Sequence, residues 1–211
     1  MTERTIGAPL RTLILDNQEL IGDALARLLC VENGENSAEV VFCVDEALDK
    51  LRSDEEYDIC IVDVFTPGMR GIETAVALQK EFPSCKFVLM SAEINSLDGM
   101  RVISGGLAGF IPKASISARG FIAALNLVHS GERFLPTSLI ERVAVVQQQF
   151  SPREFEIIQR VRAGRTNKEI AIDLVLEENA IKTSLRTISN KLNARNRTEV
   201  ALKAGVLDQF T

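Results

Sequence analysis

Two carboxylates, an amide, a hydroxyl and an ammonium group each end or follow a short apolar run in the first part of the chain: Asp16, Asn17, Asp63, Ser91 and Lys113. Carboxylate and amide oxygens are ligands for hard cations such as Mg²⁺. Asn17 follows Asp16 directly, where a cation site could carry a second acid. If the fold brings these residues together, they form a pocket with two carboxylates and one neutral amide.

The elements that must position these residues are strands and helices in alternation over residues 11–129. Short continuous apolar runs are separated by segments of helical period, such as Leu20, Ala24 and Leu28. This alternation predicts an α/β doubly wound parallel sheet of five strands with helices on both faces. Ligands bind outside the carboxyl ends of the strands in such sheets, so we expect the five polar residues to meet at one edge. The runs read RTLIL, EVVFC, DICIVD, KFVLMS and AGFI.

Beyond residue 130 the alternation stops, and the rest of the chain reads as helical. Capping boxes, in which Ser, Thr or Asn is followed three residues later by Glu, predict three helix starts. With the amphipathic segment between the second and third boxes, they predict a small all-α domain of four helices after a linker helix. The boxes are Ser151–Glu154, Thr166–Glu169 and Asn196–Glu199.

The amphipathic segment reads EENAIKTSLRTISNKL. Its apolar residues recur at helical spacing from Ile181 to Leu192, which predicts one buried face. Lys182, Thr183 and Arg186 fall on the opposite side. We therefore expect these three side chains to face solvent or a partner.

Charge is distributed unevenly along the 211 residues. Residues 1–149 hold 13 basic and 21 acidic residues, a net charge of -8, whereas residues 150–211 hold 11 and 8, a net charge of +3. The hydrophobic fraction of 46% excludes a disordered chain, and the length suits two domains. The basic tail of an acidic protein indicates an anionic partner for the tail.

The chain has neither a secretory signal nor an apolar stretch of roughly 20 residues that could span a bilayer, so we expect a cytoplasmic protein without membrane contact. The four cysteines show no C-x-x-C spacing, and all lie in apolar segments. We therefore expect buried free thiols, with neither a zinc site nor a disulfide framework. They are Cys30, Cys43, Cys60 and Cys85.

Both parts of the chain resemble known domains. Residues 8–130, with the motif IVDVFTPGMRG, resemble the flavodoxin-like receiver domain of response regulators. Residues 149–211, with SPRE, AGRTNKEIA, NKL and NRTE in order, resemble the LuxR-type helix-turn-helix, and residues 131–148 form a linker. Together they are similar to the NarL/FixJ family of two-component transcription regulators.

The resemblance implies that Asp63 accepts a phosphoryl group from a sensor histidine kinase. Carboxylates are competent nucleophiles when the charge on the incoming group is neutralised. Mg²⁺ would be held by Asp16, Asp63 and the backbone carbonyl of Phe65, and Lys113 would pair with a phosphoryl oxygen. Asn17 replaces the second acid of the family, so we expect weak Mg²⁺ binding and slow phosphorylation.

Two further residues of the receiver resemble its switch. Ser91 corresponds to the hydroxyl that follows the phosphoryl group, and Phe110 corresponds to the aromatic residue that moves with it. The readout implied is a shifted surface around the fourth and fifth strands. Pro112 in the fifth strand predicts that this strand lies at an edge of the sheet.

For the tail, the resemblance implies double-stranded DNA as the partner. Residues 178–192 would be the recognition helix in the major groove. Glu177, Ala180 and Ser184 differ from the residues that usually help to grip phosphates in the family, which predicts weak nonspecific binding. The DNA-binding residues implied are Asn167, Lys168, Lys182, Thr183, Arg186 and Lys191.

The last helix would pair two subunits on DNA through a small apolar strip of Val200, Ala201 and Ala204. A homodimer suits the family because symmetric operators mirror the symmetry of the protein. We therefore expect a dimeric bacterial-type transcription regulator.

Three alternatives remain at this point. A receiver that works without phosphorylation is motivated by Asn17, and an interaction module that binds a regulator instead of DNA is motivated by the changed phosphate grips. An aspartate-dependent phosphatase would use Asp63 as nucleophile, but it needs a second acid two residues later, where Phe65 stands. The chain is therefore not expected to be an enzyme.

Overall fold

The five apolar runs form the five strands of one parallel sheet in a computed structural model of the chain, which describes residues 9–53, 55–92 and 94–205. The strands are β1 Arg11–Leu15, β2 Ser37–Val41, β3 Ile59–Asp63, β4 Lys86–Ser91 and β5 Gly109–Pro112. Their order in the sheet is β2-β1-β3-β4-β5, as expected for a doubly wound sheet.

Continuous apolar sequence explains why three strands occupy the middle of the sheet. Every residue of β3 is buried, as are all but the first residue of β1 and β4. Strands covered on both faces need apolar side chains on both sides. Their sequences are therefore continuous apolar runs and do not alternate between apolar and polar residues. The prediction of a parallel sheet covered by helices is therefore confirmed.

The second strand begins and ends two residues earlier than the EVVFC run predicts. Val41 is its last residue, and its carbonyl accepts a hydrogen bond from the Asp16 amide at 3.1 Å. The next amide, of Phe42, donates to the carboxylate of Glu46 at 2.7 Å, and Cys43 then precedes a helix. This early turn into the helix ends the strand.

Five helices follow the strands: α1 Glu19–Glu32, α2 Val44–Leu51, α3 Ile72–Glu81, α4 Ser96–Ser104 and α5 Ala118–His129. Of the cysteines, Cys60 and Cys85 are buried and Cys43 is half-buried. Cys30 is exposed on α1, so the expectation of four buried thiols is wrong for this residue. Burial raises the pKa of the Cys85 thiol to about 12.

The strand β5 lies at the end of the sheet, and its outer edge is covered by the chain that follows α5. The amide of Phe110 donates to the carbonyl of Phe134 at 2.9 Å, and the amide of Phe134 donates to Ala108 at 3.1 Å. A Cβ atom on Gly109 would lie 2.5 Å from the Phe134 carbonyl oxygen, so this close approach requires glycine. Pro112 ends the strand, where its missing amide breaks no ladder.

The remaining helices are α6 Thr137–Gln149, α7 Pro152–Arg162, α8 Asn167–Leu174, α9 Glu178–Lys191 and α10 Arg197–Gly205. The first two predicted capping boxes are present with both reciprocal hydrogen bonds. In the third, Asn196 caps the Glu199 amide at 2.9 Å, but the Glu199 carboxylate accepts from the amide of Arg195 instead of that of Asn196.

The chain divides into two compact units. The first extends to Ile94 and continues over Arg101–Pro136, and the second takes Asn95–Met100 and the chain from Thr137 onward. The linker expected at residues 131–148 is thus shared between the units. None of the helices in the described parts of the chain is long and apolar enough to cross a membrane.

Candidate functional sites

The polar residues at the carboxyl edge of the sheet form a compact ionic cluster. The Lys113 ammonium donates to Asp16 Oδ2 at 2.7 Å and to Asp63 Oδ2 at 2.9 Å. The side chains of Asp16, Asp63 and Lys113 are 0%, 2% and 15% exposed. Three residues that are far apart in the sequence therefore meet because β1, β3 and β5 end at the same edge.

Backbone amides hold the other carboxylate oxygens. Asp16 Oδ1 accepts a hydrogen bond from the amide of Gln18 at 2.9 Å, and Asp63 Oδ1 accepts one from the amide of Phe65 at 3.3 Å. The backbone amide of Lys113 donates to the Ser91 carbonyl at 2.8 Å. Each charged group is thereby fixed by the turn that follows its strand.

The cluster of Asp16, Asp63 and Lys113 carries two carboxylates against one ammonium. Burial alone would lower the pKa of Lys113, but its hydrogen bonds to Asp16 and Asp63 outweigh burial and raise the pKa above its usual value. Lys113 therefore stays charged, and the formal charges of two carboxylates and one ammonium leave an excess of one negative charge. This excess of negative charge favours a further cation.

Ser91 and Phe110, the two residues expected to form the switch, are both buried, at 1% and 3% exposure. Ser91 ends β4 one residue beyond the Met90 that pairs with Asp63 across the sheet. Phe110 pairs with Leu89 on the other side of β4. Ser91 therefore lies on β4, the strand next to that of Asp63, and Phe110 lies on β5, the strand beyond it.

The residues proposed for Mg²⁺ fit such an ion only in part. Among the described residues no three His, Cys, Asp or Glu side chains form a metal-binding group. Asp16 and Asp63 supply two carboxylates, and the exposed Asn17 supplies an amide oxygen. Mg²⁺ is usually bound through one or two carboxylates beside waters and phosphate oxygens. The side chain of Phe65 is 73% exposed, and only its carbonyl could contribute.

In the second unit, α9 buries the face that its sequence predicts. Ile181 and Ile188 are fully buried, whereas Lys182, Thr183 and Arg186 are exposed. Lys182 forms an ion pair at 2.9 Å with Glu178, one turn earlier on the same helix. Their side chains are 56% and 45% exposed, so both charges remain close to water.

The two residues expected at the start of α8 differ in their surroundings. Lys168 is exposed. Asn167 is half-buried, and its Oδ1 accepts a hydrogen bond from Arg197 Nη1 at 2.9 Å. Lys168 is therefore accessible from solvent, whereas Asn167 is already tied to the start of α10.

Lys191, a residue of the expected DNA-binding set, already has a partner within the unit. Its ammonium donates to both carboxylate oxygens of Glu154, at 2.8 and 2.7 Å, and lies 5.5 Å from the centre of the Phe150 ring. The Glu154 side chain is only 11% exposed. Lys191 therefore joins α9 to α7, which takes its charge away from the surface that Lys182 and Arg186 form.

Two of the three residues of the dimer strip expected on α10 are buried within one unit. Val200 and Ala204 are 1% and 0% exposed because α10 packs against α7 within the same unit. Only Ala201 is partly accessible, while its neighbour Leu202 is 66% exposed. Val200 and Ala204 therefore belong to the core of one subunit and cannot contact a second one.

An open cleft of about 390 Å³ lies beside α9 and contains residues that the sequence patterns did not indicate. Arg195 and Arg197, from the loop before α10 and its first residue, lie there together with Lys182 and Arg186. The stretch NARNR carries the only sequence signal for this feature, two arginines separated by one amide residue. Helical periodicity cannot detect a loop that folds back on a helix.

Two family models match the chain. The response regulator receiver domain matches residues 12–125, which is more than half of the chain, and the luxR family of bacterial regulatory proteins matches residues 148–204. The transcriptional regulatory protein DesR of Bacillus subtilis is 28% identical over 90% of this chain and 94% of its own length.

The chain is similar to solved structures, of which two illustrate the likeness. A LuxR family DNA-binding response regulator from Silicibacter pomeroyi has 31% identity and a TM-score of 0.53, covering 62% of this chain and 98% of that one. A structure of two RcsB dimers bound to two parallel DNAs has a TM-score of 0.62, covering 94% of this chain and 99% of that one. The RcsB match has 19% identity and supports the fold alone.

Proposed function

The chain belongs to the response regulators that carry a luxR-type DNA-binding domain, and from this premise we propose that a sensor histidine kinase phosphorylates Asp63 and that the protein binds double-stranded DNA as a homodimer. As a member of this family it is a transcription regulator of the two-component type and not an enzyme. We place its action in the cytoplasm, where a bacterial chromosome and the kinase's phosphorylated domain are accessible.

The observation that carries the receiver half of the proposal is the buried Asp63 beside Lys113. An Asp63 oxygen would attack the phosphorus of a phosphohistidine, and the P–N bond would break with its electron pair passing to the imidazole nitrogen. Lys113 lies where it can hold a phosphoryl oxygen once Asp63 is modified. The ammonium thereby offsets part of the negative charge that two anionic reactants bring together.

Receiver domains in general use Mg²⁺, which supplies charge neutralisation for the transferred phosphoryl group. In this chain Asp16, Asp63 and Asn17 would hold it. The Oδ2 atoms of Asp16 and Asp63 both accept from Lys113, so the ammonium competes with an added cation for the same oxygens. Because Asn17 is neutral, we propose that Mg²⁺ binding is weak and that phosphorylation is slow.

The DNA half rests on the exposed face of α9, where Lys182, Thr183 and Arg186 lie together on one side of the helix. We propose that this face enters the major groove and that Lys168 approaches the backbone from the start of α8. A dimer fits paired half-sites, and RcsB binds DNA as dimers in its solved complex. With Val200 and Ala204 buried, the exposed part of α10 around Ala201 and Leu202 is where a second subunit could pack.

The receiver proposal is tested by acetyl-phosphate labelling of the wild type, Asp63→Asn and Asn17→Asp over a Mg²⁺ titration. We expect labelling of the wild type only at high Mg²⁺, none of Asp63→Asn, and labelling of Asn17→Asp at lower Mg²⁺. One charge about 4 Å from the ion contributes on the order of 4 kcal/mol of raw attraction before desolvation offsets part of it. Equal Mg²⁺ dependence in wild type and Asn17→Asp would contradict the weak-site proposal.

The DNA proposal is tested by selection of bound duplexes from a randomised library, with and without acetyl phosphate. We expect enrichment of paired half-sites, since a dimer contacts two of them. Lys182→Ala should lose the enriched sequence while circular dichroism shows an intact fold. A wild type that enriches no sequence in either state would contradict DNA recognition and favour the interaction module.

A further inference from the structure

The cleft beside α9 collects positive charge from two segments of the second unit: α9, with Lys182 and Arg186, and residues 195–197, with Arg195 and Arg197. We propose that this cleft is a binding site for one phosphodiester group of the DNA backbone, held by the guanidinium groups of Arg186 and Arg195. The inference rests on the proposed DNA binding and goes further by naming the residues that bind the backbone.

The charge of the cleft is its first argument. Four of the residues that line it in the described chain are cations, Lys182, Arg186, Arg195 and Arg197, and none of the lining residues is an acid. Ser189 and Asn190 add neutral hydrogen-bond donors. Guanidinium groups bind phosphate oxygens in a planar, bidentate geometry, so the chemistry selects a phosphate-like anion.

Two of the four cations are already engaged. Lys182 pairs with Glu178, and Arg197 donates to Asn167 Oδ1 and to the Arg165 carbonyl. Within residues 9–53, 55–92 and 94–205, the guanidinium groups of Arg186 and Arg195 have no hydrogen-bond or ion-pair partner. Both are exposed at the cleft, so both are available to an anion that enters it.

The loop that carries Arg195 is held in place before any ligand binds. Asn193 adopts a left-handed backbone with φ of 48°, which turns the chain sharply after α9. The Arg195 amide donates to Glu199 at 2.8 Å, and Lys203 donates to the Asn193 carbonyl. A site whose backbone is already ordered loses less entropy when it binds its ligand.

The opposite end of α9 is unsuited to a phosphate. Glu177 and Glu178 stand there, and Glu177 is exposed without a side-chain capping bond. A helix N-terminus attracts anions through its free amides, but two carboxylates at that position offset the attraction. Two carboxylates therefore lie at the start of α9, and the cationic cleft lies beside the part of α9 from Lys182 onward.

The experiment measures DNA affinity against salt concentration for the full-length wild type, Arg195→Gln and Arg153→Gln. Arg153 is the matched control, since it is an exposed arginine on α7 that does not line the cleft, and its substitution changes the charge equally. The probes are the duplex recovered from the randomised library and a duplex of random sequence. Each lost phosphate contact lowers the slope of log K against log salt by about 0.9.

We expect Arg195→Gln to lower that slope by about one, to weaken both duplexes by a similar factor, and to leave the selected sequence unchanged. Arg153→Gln should match the wild type. The inference is overturned if Arg195→Gln keeps the wild-type slope, if Arg153→Gln lowers it equally, or if Arg195→Gln changes the selected sequence. A wild type that binds neither duplex would overturn the proposed DNA binding itself.

Discussion

The receiver cluster of Asp16, Asp63 and Lys113 and the α9 pair of Glu178 and Lys182 have almost the same contact distances, 2.7–2.9 Å. They differ in burial. The receiver side chains are at most 15% exposed, whereas those of α9 are 45% and 56% exposed. Distance alone therefore does not reveal what an ion pair does.

Burial decides how much each pair affects stability. Removing one partner of a buried pair leaves an uncompensated charge, which costs about 3–5 kcal/mol, whereas an exposed pair contributes about 0.2–1 kcal/mol. Charges near water also exchange partners at little cost. The receiver cluster is thus suited to hold its charged groups in a fixed arrangement for chemistry. The charged side chains of α9 are suited to form ion pairs with a partner.

The largest effect expected is on the receiver cluster. Lys113→Met should lower the free energy of unfolding by about 3–5 kcal/mol, because Asp16 and Asp63 remain buried together without a cation. Urea unfolding, followed at the transition of the first unit, measures this loss of stability. Lys50→Met is the control, since its 2.6 Å pair with Glu39 has side chains that are 42% and 36% exposed. Equal losses of unfolding free energy in the two variants would show that burial does not decide the effect.

An intermediate effect is expected for Lys191→Met. Its partner Glu154 is nearly buried, but Lys191 itself is 36% exposed, so we expect a loss of about 1–2 kcal/mol at neutral pH. Urea unfolding of the second unit measures this loss, and Arg153→Met serves as a control without a buried partner.

The pH dependence of the same pair follows from Glu154. Burial would raise its pKa, but hydrogen bonds from Lys191 and Ser151 outweigh burial and lower it below the ordinary value of 4.5. A lowered pKa contributes stability above the unfolded-state pKa, and that stability is lost as the pH falls through the folded-state pKa. The difference between wild type and Lys191→Met should therefore shrink as the pH falls below the ordinary pKa of 4.5. A difference that stays constant with pH would contradict the pairing.

The smallest effect on stability is expected on α9. Lys182→Ala should change the free energy of unfolding by less than about 0.5 kcal/mol, because its pair with Glu178 is an exposed pair on one helix. The same variant should weaken binding to the selected duplex by about 1–3 kcal/mol if Lys182 contacts a base. Thermal unfolding and titration of the duplex separate the two effects. A large loss of stability with unchanged DNA binding would contradict the assignment of the α9 surface to binding.

Local rules account for what the sequence determined. Continuous apolar runs predicted β1, β3 and β4 because a strand covered on both faces leaves no position for polar residues. The capping boxes at Ser151 and Thr166 predicted two helix starts because their hydrogen bonds lie within four residues. The convergence of Asp16, Asp63 and Lys113 followed as well, since all parallel strands end at one edge.

Only the tertiary structure decided the roles of residues whose partners are distant in the chain. Lys191 looked like a free cation on a polar helix, but Glu154, 37 residues earlier, holds it. Val200 and Ala204 looked like spare apolar surface, yet α7 covers them. Periodicity shows which face of a helix is apolar but not which neighbour covers it, nor how a loop such as that of Arg195 folds back, because packing between elements depends on contacts that no local pattern contains.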